Sequence, residues 1–285
     1  MQFSTVAMIL TASVAHAVWN IASKYKKEDT LVFVWAYSCA SALLWVPISL
    51  ILTVEGQQEL DWRLAVGAVI SSALHIAYSL ILQAGYERAE LGVVYPIARG
   101  SGPVLTILFA TLLMGERLSP GALLGALLVI AGIFVVTGNP FRSGSRPLKG
   151  MIWGAATGTA IAGYTLWDGY SIISLHLDPV SYYASTLLLQ SLILTPGAMR
   201  RRYRIPTAVR VDRVPILIIA VCSPLAYILV LTAMQSMPLA LVAPLRESSI
   251  IVGSLLSYWL FRENHLARRI AGAVVVLAGI AVISL

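Results

Sequence analysis

The chain reads as an all-α integral membrane protein whose ten transmembrane helices form two inverted five-helix repeats. Three observations predict this: the composition, the number of apolar stretches, and a set of landmarks that recurs half a chain later. Of 285 residues, 58% are hydrophobic and 12% charged, with a mean hydropathy of +0.83, too apolar for a soluble domain. A hydrocarbon core of about 30 Å needs roughly 20 apolar residues per helix. Ten such stretches lie near 3–23, 31–53, 63–84, 91–114, 120–138, 150–173, 179–199, 214–234, 238–261 and 268–285. Helices suit them because lipid offers backbone groups no partner, so each span must close its own hydrogen bonds.

The landmarks recur at an almost constant distance. Tyr95-Pro96-Ile97-Ala98-Arg99, Gly115-Glu116-Arg117 and Ala131-Gly132-Ile133 are matched by Ala243-Pro244-Leu245-Arg246-Glu247, Arg262-Glu263-Asn264 and Ala278-Gly279-Ile280. The offset is 148 for the prolines and 147 for the glutamates and glycines, and Trp19-Asn20 matches Trp167-Asp168 at 148. The repeats are thus residues 1–138 and 150–285, joined by a polar linker at 139–149. Five crossings in the first repeat make the second start from the opposite side, the architecture of many secondary transporters, which bind substrate between the halves and rock.

Span 1 resembles a signal peptide at Ala15-His16-Ala17, but no Lys or Arg precedes Lys24, so the positive n-region is missing and the segment is read as a retained helix. Cys39 in span 2 and Cys222 in span 8 are read as small buried hydrophobes, and the sequence calls for no metal or cofactor. Span 4 carries Pro96 with Gly100 and Gly102, and span 9 carries Pro244; proline removes a backbone bond and bends a helix, as a cavity-lining span requires. In span 5, Gly121 and Gly125 form a small-residue spacing that predicts close helix packing.

Basic residues set the orientation. Odd-numbered loops hold sixteen Lys and Arg, even-numbered loops only Arg63 and Arg117, so the positive-inside bias puts odd loops in the cytoplasm and both termini in the periplasm. The excess of 20 basic over 13 acidic residues is explained by this topology and calls for no nucleic acid.

Charges inside spans cost at least about 2.5–3.5 kcal/mol each, so the few present carry the argument. Among the acids these are Asp168 and Glu247; among the bases, Arg99 and Arg246. The repeat makes Arg99 and Glu247 equivalent positions. Two accounts stand: an ion pair holding span 4 to span 9, or a site for a zwitterion, with guanidinium for carboxylate and acid for ammonium. Asp168 and Asn20, with Trp167 and Trp19, are the other matched pair, expected toward opposite ends of one pathway; an acid reaching solvent at the interface is the competing account of Asp168. His75 and Tyr78 share one face of span 3, while Tyr95, Tyr164 and Tyr227 offer further rings suited to an apolar or aromatic ligand. His16 occupies the repeat position of Tyr164.

These residues together resemble the drug/metabolite transporter superfamily, EamA type, over essentially the whole chain. The carrying motifs are Tyr95-Pro96 with Arg99-Gly-Ser, Leu113-Met-Gly115-Glu116-Arg117-Leu-Ser, Gly125 and Ala131-Gly132-Ile133, repeated as Ala243-Pro244 and Arg262-Glu263. Within it the chain looks most like bacterial ten-helix exporters of amino acids, aromatic ones included. The resemblance implies a central cavity built by spans 1, 3, 4, 6, 8 and 9, with 5 and 10 peripheral, in an inner-membrane protein exporting small molecules. Arg262 departs from the usual glycine, and both loop glutamates are read as helix-end residues. The small multidrug-resistance branch exchanges protons at a helix-1 glutamate; span 1 here has His16 and Asn20 and no acid.

The reading is a secondary carrier, not an enzyme, taking amino acids or other small amphipathic metabolites by alternating access, with the lipid bilayer as its other partner and a monomer as its expected state. Substrate-binding positions are Asn20, His75, Tyr78, Tyr95, Arg99, Trp167, Arg246 and Glu247; Trp19 and Asp168 lie nearer the gates. A carrier of drugs or of sugar- or nucleotide-type metabolites is the alternative, with two deep arginines few for phosphorylated substrates. A channel would not saturate. A lipid-modifying enzyme would need a denser interfacial cluster than His176 with Asp178.

Overall fold

A computed structural model describes residues 3–54, 60–89, 91–115, 117–137, 147–249, 252 and 266–284. The helices are α1 (Phe3–Lys24), α2 (Thr30–Val54), α3 (Trp62–Arg88), α4 (Leu91–Leu113), α5 (Pro120–Thr137), α6 (Pro147–Ile173), α7 (Pro179–Arg200), α8 (Ile205–Val211), α9 (Arg213–Met234), α10 (Leu239–Arg246) and α11 (Leu266–Ser284). They follow the predicted spans, α9 taking the eighth, α10 the start of the ninth and α11 the tenth. Among the described residues, four segments are individually long and apolar enough to cross a bilayer: Thr5–Ser23, Thr30–Val54, Trp62–Gly85 and Arg213–Met234. Of the linker expected at 139–149, residues 139–146 lie outside the described residues, as do the loop glutamates Glu116 and Glu263, and 147–149 are the start of α6.

Helix α8 is an addition to the sequence reading. The Arg-rich connection after α7 folds into a 3-10 turn at Arg202–Arg204 and then this short helix, with Pro206 in its first turn, where proline's missing N–H costs nothing. Other boundaries follow local chemistry. Asp61 caps α3 by accepting from the Leu64 N–H at 3.1 Å, and Asp178 caps α7 by accepting from the Ser181 N–H at 2.8 Å, ahead of Pro179. Gly115 takes φ +69° after α4, a left-handed turn that glycine adopts without strain.

The two-fold relation between the repeats is visible where α5 meets α11. Gly132 lies so close that an added Cβ would stand 2.6 to 2.9 Å from Val276 and Gly272; one on Gly279 would stand 2.7 to 2.9 Å from Val129 and Gly125. Each contact is the other displaced by 147 residues. Partner numbers fall on α11 as they rise on α5, so the helices run antiparallel and the two-fold axis is perpendicular to them. An axis of that orientation lies in the membrane plane and relates inverted repeats. Gly125, but not Gly121, serves this crossing; a Cβ on Gly121 would meet only Ser119, at 4.0 Å.

The remaining helices pair in the same symmetric manner: α1 with α9 and α3 with α6, and α2 with α7. Trp35 Nε1 donates to Thr195 Oγ1 across α2 and α7 at 3.0 Å, and Ser72 Oγ to the Thr186 carbonyl across α3 and α7 at 3.0 Å. Large apolar side chains such as Leu43, Ile51, Leu113, Leu192 and Leu217 are exposed on the outside, as expected of a surface that faces lipid.

The connections sort into two ends. Asp29 in the α1–α2 connection accepts from Arg201 at 2.8 and 2.9 Å and from Arg204 at 3.1 Å, while Asp212 accepts the N–H groups of Lys27 and Glu28 at 3.0 and 3.1 Å. The first and seventh connections therefore meet at one end. Gly67 near the start of α3 packs on Leu177 and Tyr182 at the α6–α7 turn, which gathers the second and sixth connections at the other.

Candidate functional site

Span 9 breaks in the protein interior. Beyond Pro244, the Glu247 N–H bonds the Pro244 carbonyl at 3.0 Å and the Ser248 N–H bonds the Leu245 carbonyl at 3.1 Å, a tightening to three-residue turns. The break is held from α1: Ser13 Oγ lies 2.8 Å from Ser248 Oγ and 3.4 Å from the Arg246 carbonyl. It presents Arg246 and Glu247 side by side, both buried. Discontinuous helices at repeat interfaces are a recurrent way to build a transport site.

Arg99 of α4 donates to Glu247 Oε2 at 2.9 Å, and Arg246 Nη2 to Oε1 at 3.4 Å. The expected pairing of repeat-related positions Arg99 and Glu247 is thus made, across the pseudo-two-fold. Arg99 Nη2 also reaches His16 Nε2 at 3.1 Å, while Trp19 Nε1 donates to His16 Nδ1 at 3.2 Å. A neutral imidazole has one acceptor nitrogen, so His16 satisfies one of these donors at a time. Arg246 stands 5.9 Å above the Tyr164 ring, and among the described residues its buried Nε–H meets no acceptor.

The second carboxylate is reached from Tyr164 through His75. Asp168 is fully buried; Oδ1 accepts from the Tyr182 hydroxyl at 2.6 Å, and Oδ2 from the Tyr227 hydroxyl at 2.5 Å. His75 Nε2 lies 2.9 Å from Oδ2 and is the donor when the carboxylate is ionised. The His75 ring stacks on Tyr164 with centroids 4.2 Å apart, and Tyr183 and Tyr227 meet it edge-on or tilted within 5.8 Å. Tyr78 meets Tyr164 at 5.3 Å. The two clusters form one continuous polar core, with formal charges of two arginines and two carboxylates cancelling when both histidines are neutral.

Of the residues expected at the site, the structure brings together His75, Tyr78, Arg99, Asp168, Arg246 and Glu247. Asp168 is not exposed at an interface; it lies five residues from the end of α6, about 7.5 Å of helical rise, wholly enclosed. Trp19 joins through His16. Asn20 instead bonds its own helix, Nδ2 to the His16 carbonyl at 2.8 Å, and Trp167 Nε1 donates to the Gly67 carbonyl at 3.0 Å with its ring 5.9 Å from Tyr170. The Tyr95 side chain lies outside the described residues. Tyr182 and Tyr183 were not anticipated. An antiparallel α6–α7 hairpin turning near residue 176 sets residue 168 opposite residues 182 to 184, a register readable once both helix ends are placed.

Among the described residues no group of three or more His, Cys, Asp or Glu is arranged to hold a metal. Asp178, paired with His176 in the lipid-enzyme alternative, has its carboxylate occupied in capping α7.

A family model, the EamA-like transporter family, matches residues 3–138 and again 148–285. A Pseudomonas aeruginosa protein named a multidrug transporter is 52% identical over 61 residues, 21% of this chain and 54% of that protein; the match spans about half of that relative's length. A solved crystal structure of a protein aligns with a TM-score of 0.81 at 16% identity, over 100% of this chain and 99% of that one, a likeness of fold. With both halves matched and the inverted repeat in place, the chain belongs to the EamA-like transporter family and is a multi-pass membrane protein.

Proposed function

We propose that the chain is a secondary carrier that exports amino acids, aromatic ones included, and other small amphipathic metabolites across the inner membrane by alternating access. The observation that carries this reading is Arg246. Its Nε–H is a buried donor without an acceptor among the described residues, and such a group costs about 1–3 kcal/mol. A ligand carboxylate relieves that cost and gains a charge-assisted bond. Glu247 and Asp168 supply acids for an ammonium, and the rings of Tyr78, Tyr164, Tyr183 and Tyr227 supply apolar faces for a side chain. Asn20, Tyr95 and Trp167 are assigned to the same pathway, with Trp19 and Asp168 nearer its gates. The carrier acts as a monomer with both termini periplasmic, and catalyses no chemical step.

A drug-exporting reading has one observation in its favour, the multidrug name of the Pseudomonas aeruginosa relative. The test uses purified protein in liposomes with labelled tryptophan, phenylalanine and threonine. Saturable uptake stimulated by amino acid on the far side is expected. No uptake above empty liposomes, with efflux of a cationic dye instead, would transfer the assignment to drugs.

A further inference from the structure

We infer that the connection from Arg200 to Arg213 is a binding surface for anionic phospholipid, whose headgroup phosphates meet its arginines at the edge of the bilayer. The inference rests only on the chain being a multi-pass membrane protein and holds whatever the substrate is.

The connection carries six arginines, at 200, 201, 202, 204, 210 and 213, against one acid, Asp212. That acid is fully buried and turned inward, its carboxylate accepting the Lys27 and Glu28 N–H groups. Asp29 of the facing connection takes Arg201 and Arg204. Arg200 lies in the last turn of α7, where a cation complements the helix dipole. Arg202, Arg210 and Arg213 remain, all exposed and paired with no carboxylate among the described residues. Arginine keeps its charge, so this end presents a fixed positive surface. At the opposite end Arg63 is paired with Asp61, at 3.7 Å.

Apolar side chains lie among these charges. Tyr203 is 71% exposed and Val209 and Val211 are each 44% exposed, and Ala208 alone of α8 is buried. The surface runs on into the exposed apolar side chains of α7, at Ile193 and Met199, and of α9, at Val214 and Leu217. Guanidiniums and valines displayed together beside the lipid-facing band suit the headgroup region, where phosphates meet the charges and acyl chains cover the apolar groups. A soluble polyanion would satisfy the first and leave the second in water. Clusters of four to eight basic residues next to a span are held by anionic lipid in this way.

The frame is set in advance. Asp29 fixes the 3-10 turn and Asp212 the junction of α8 with α9, both onto the α1–α2 connection. Lipid therefore meets arginines on backbone that is already ordered, which lowers the cost of binding.

The test titrates purified protein in neutral detergent with phosphatidylglycerol or phosphatidylcholine, following thermal midpoint and the lipid retained in native mass spectra. Phosphatidylglycerol is expected to be retained and to raise the midpoint, and phosphatidylcholine is not. Salt at about 1 M, where screening acts within about 3 Å, should remove most of the rise. Combining Arg202→Gln, Arg210→Gln and Arg213→Gln should weaken the response about fivefold per arginine, while Arg63→Gln leaves it as in wild type. Equal responses to the two lipids, or an undiminished response in the triple variant, overturn the inference and leave the arginines as determinants of orientation alone. Soluble glycerol phosphate acting as well as the lipid overturns it too, since that ligand covers no valine. Should the triple variant fail to fold, Arg210→Gln alone and the wild-type comparison of the two lipids decide.

Discussion

Glu247 lies between the guanidiniums of Arg99 and Arg246, whereas Asp168, at 0% exposure like Glu247, is held by two tyrosines and a histidine. Both acids sit in spans, where lipid tolerates them poorly, and both are fully hydrogen-bonded. They differ in how their charge is met. Arginine cannot release its proton in a protein, so in this structure Glu247 is met by fixed charge, which ties α4 to the turn after α10. Asp168 is met by two phenols and an imidazole, none of them a fixed cation. A buried acid is therefore read by its partners: removing it strands fixed cations in one case and only neutral donors in the other.

Substitutions can break this contrast, the largest effect coming from the joint. Glu247→Gln strands two buried cations and is expected to cost about 3–5 kcal/mol, seen as a large drop in thermal midpoint or loss of monodisperse protein. Adding Arg99→Gln should recover part of it in a double-mutant cycle; no coupling would mean the pair is not the joint. Tyr227→Phe removes one hydroxyl from the Asp168 carboxylate, at about 1.5–3 kcal/mol, seen as a smaller drop in thermal midpoint than that of Glu247→Gln. Asp168→Asn keeps an acceptor oxygen for one tyrosine and strands no fixed charge, so about 1 kcal/mol is expected. If it matches Glu247→Gln in thermal midpoint, the distinction between the two acids collapses.

The smallest effect lies outside the membrane. Asp29→Asn removes pairs with Arg201 and Arg204 that are half exposed, so about 0–1 kcal/mol is expected, less at high salt. Partial burial acts to raise the Asp29 carboxyl, but the Val32 N–H, Arg201 and the Leu31 N–H together hold it below its ordinary value. A carboxylate lowered on folding stabilises fully above its unfolded value and loses that contribution as pH falls through the folded one. The difference between wild type and Asp29→Asn should thus be constant near neutrality, begin to fall below about pH 4, and vanish once the pH has dropped below the folded value.

The helices were legible because lipid leaves a chain few choices: ten apolar stretches and one offset set their number and inversion. The Arg99–Glu247 contact was legible too, since a two-fold brings equivalent positions on the axis together. The chain of contacts from Trp19 to Arg99 was harder. His16 stood out only as the repeat position of Tyr164, and its two donors come from different helices. Tyr182 and Tyr183 escaped notice because tyrosines at the start of a span are ordinary interfacial anchors; only the α6–α7 register turns Tyr182 toward Asp168. Helix α8 was missed because seven residues among arginines show no apolar period.

The crossing of α5 and α11 carries a further consequence. Gly132 meets Val276 as Gly279 meets Val129, so the interface is isologous although it lies within one polypeptide. Either half alone carries both the glycine and the valine that this contact needs, and two copies of one half inserted head-to-tail could close it. Joining the halves in one chain relieves that self-pairing of its symmetry, leaving Arg99 and Glu247, or His16 and Tyr164, free to diverge while the crossing that holds the halves together stays the same on both sides.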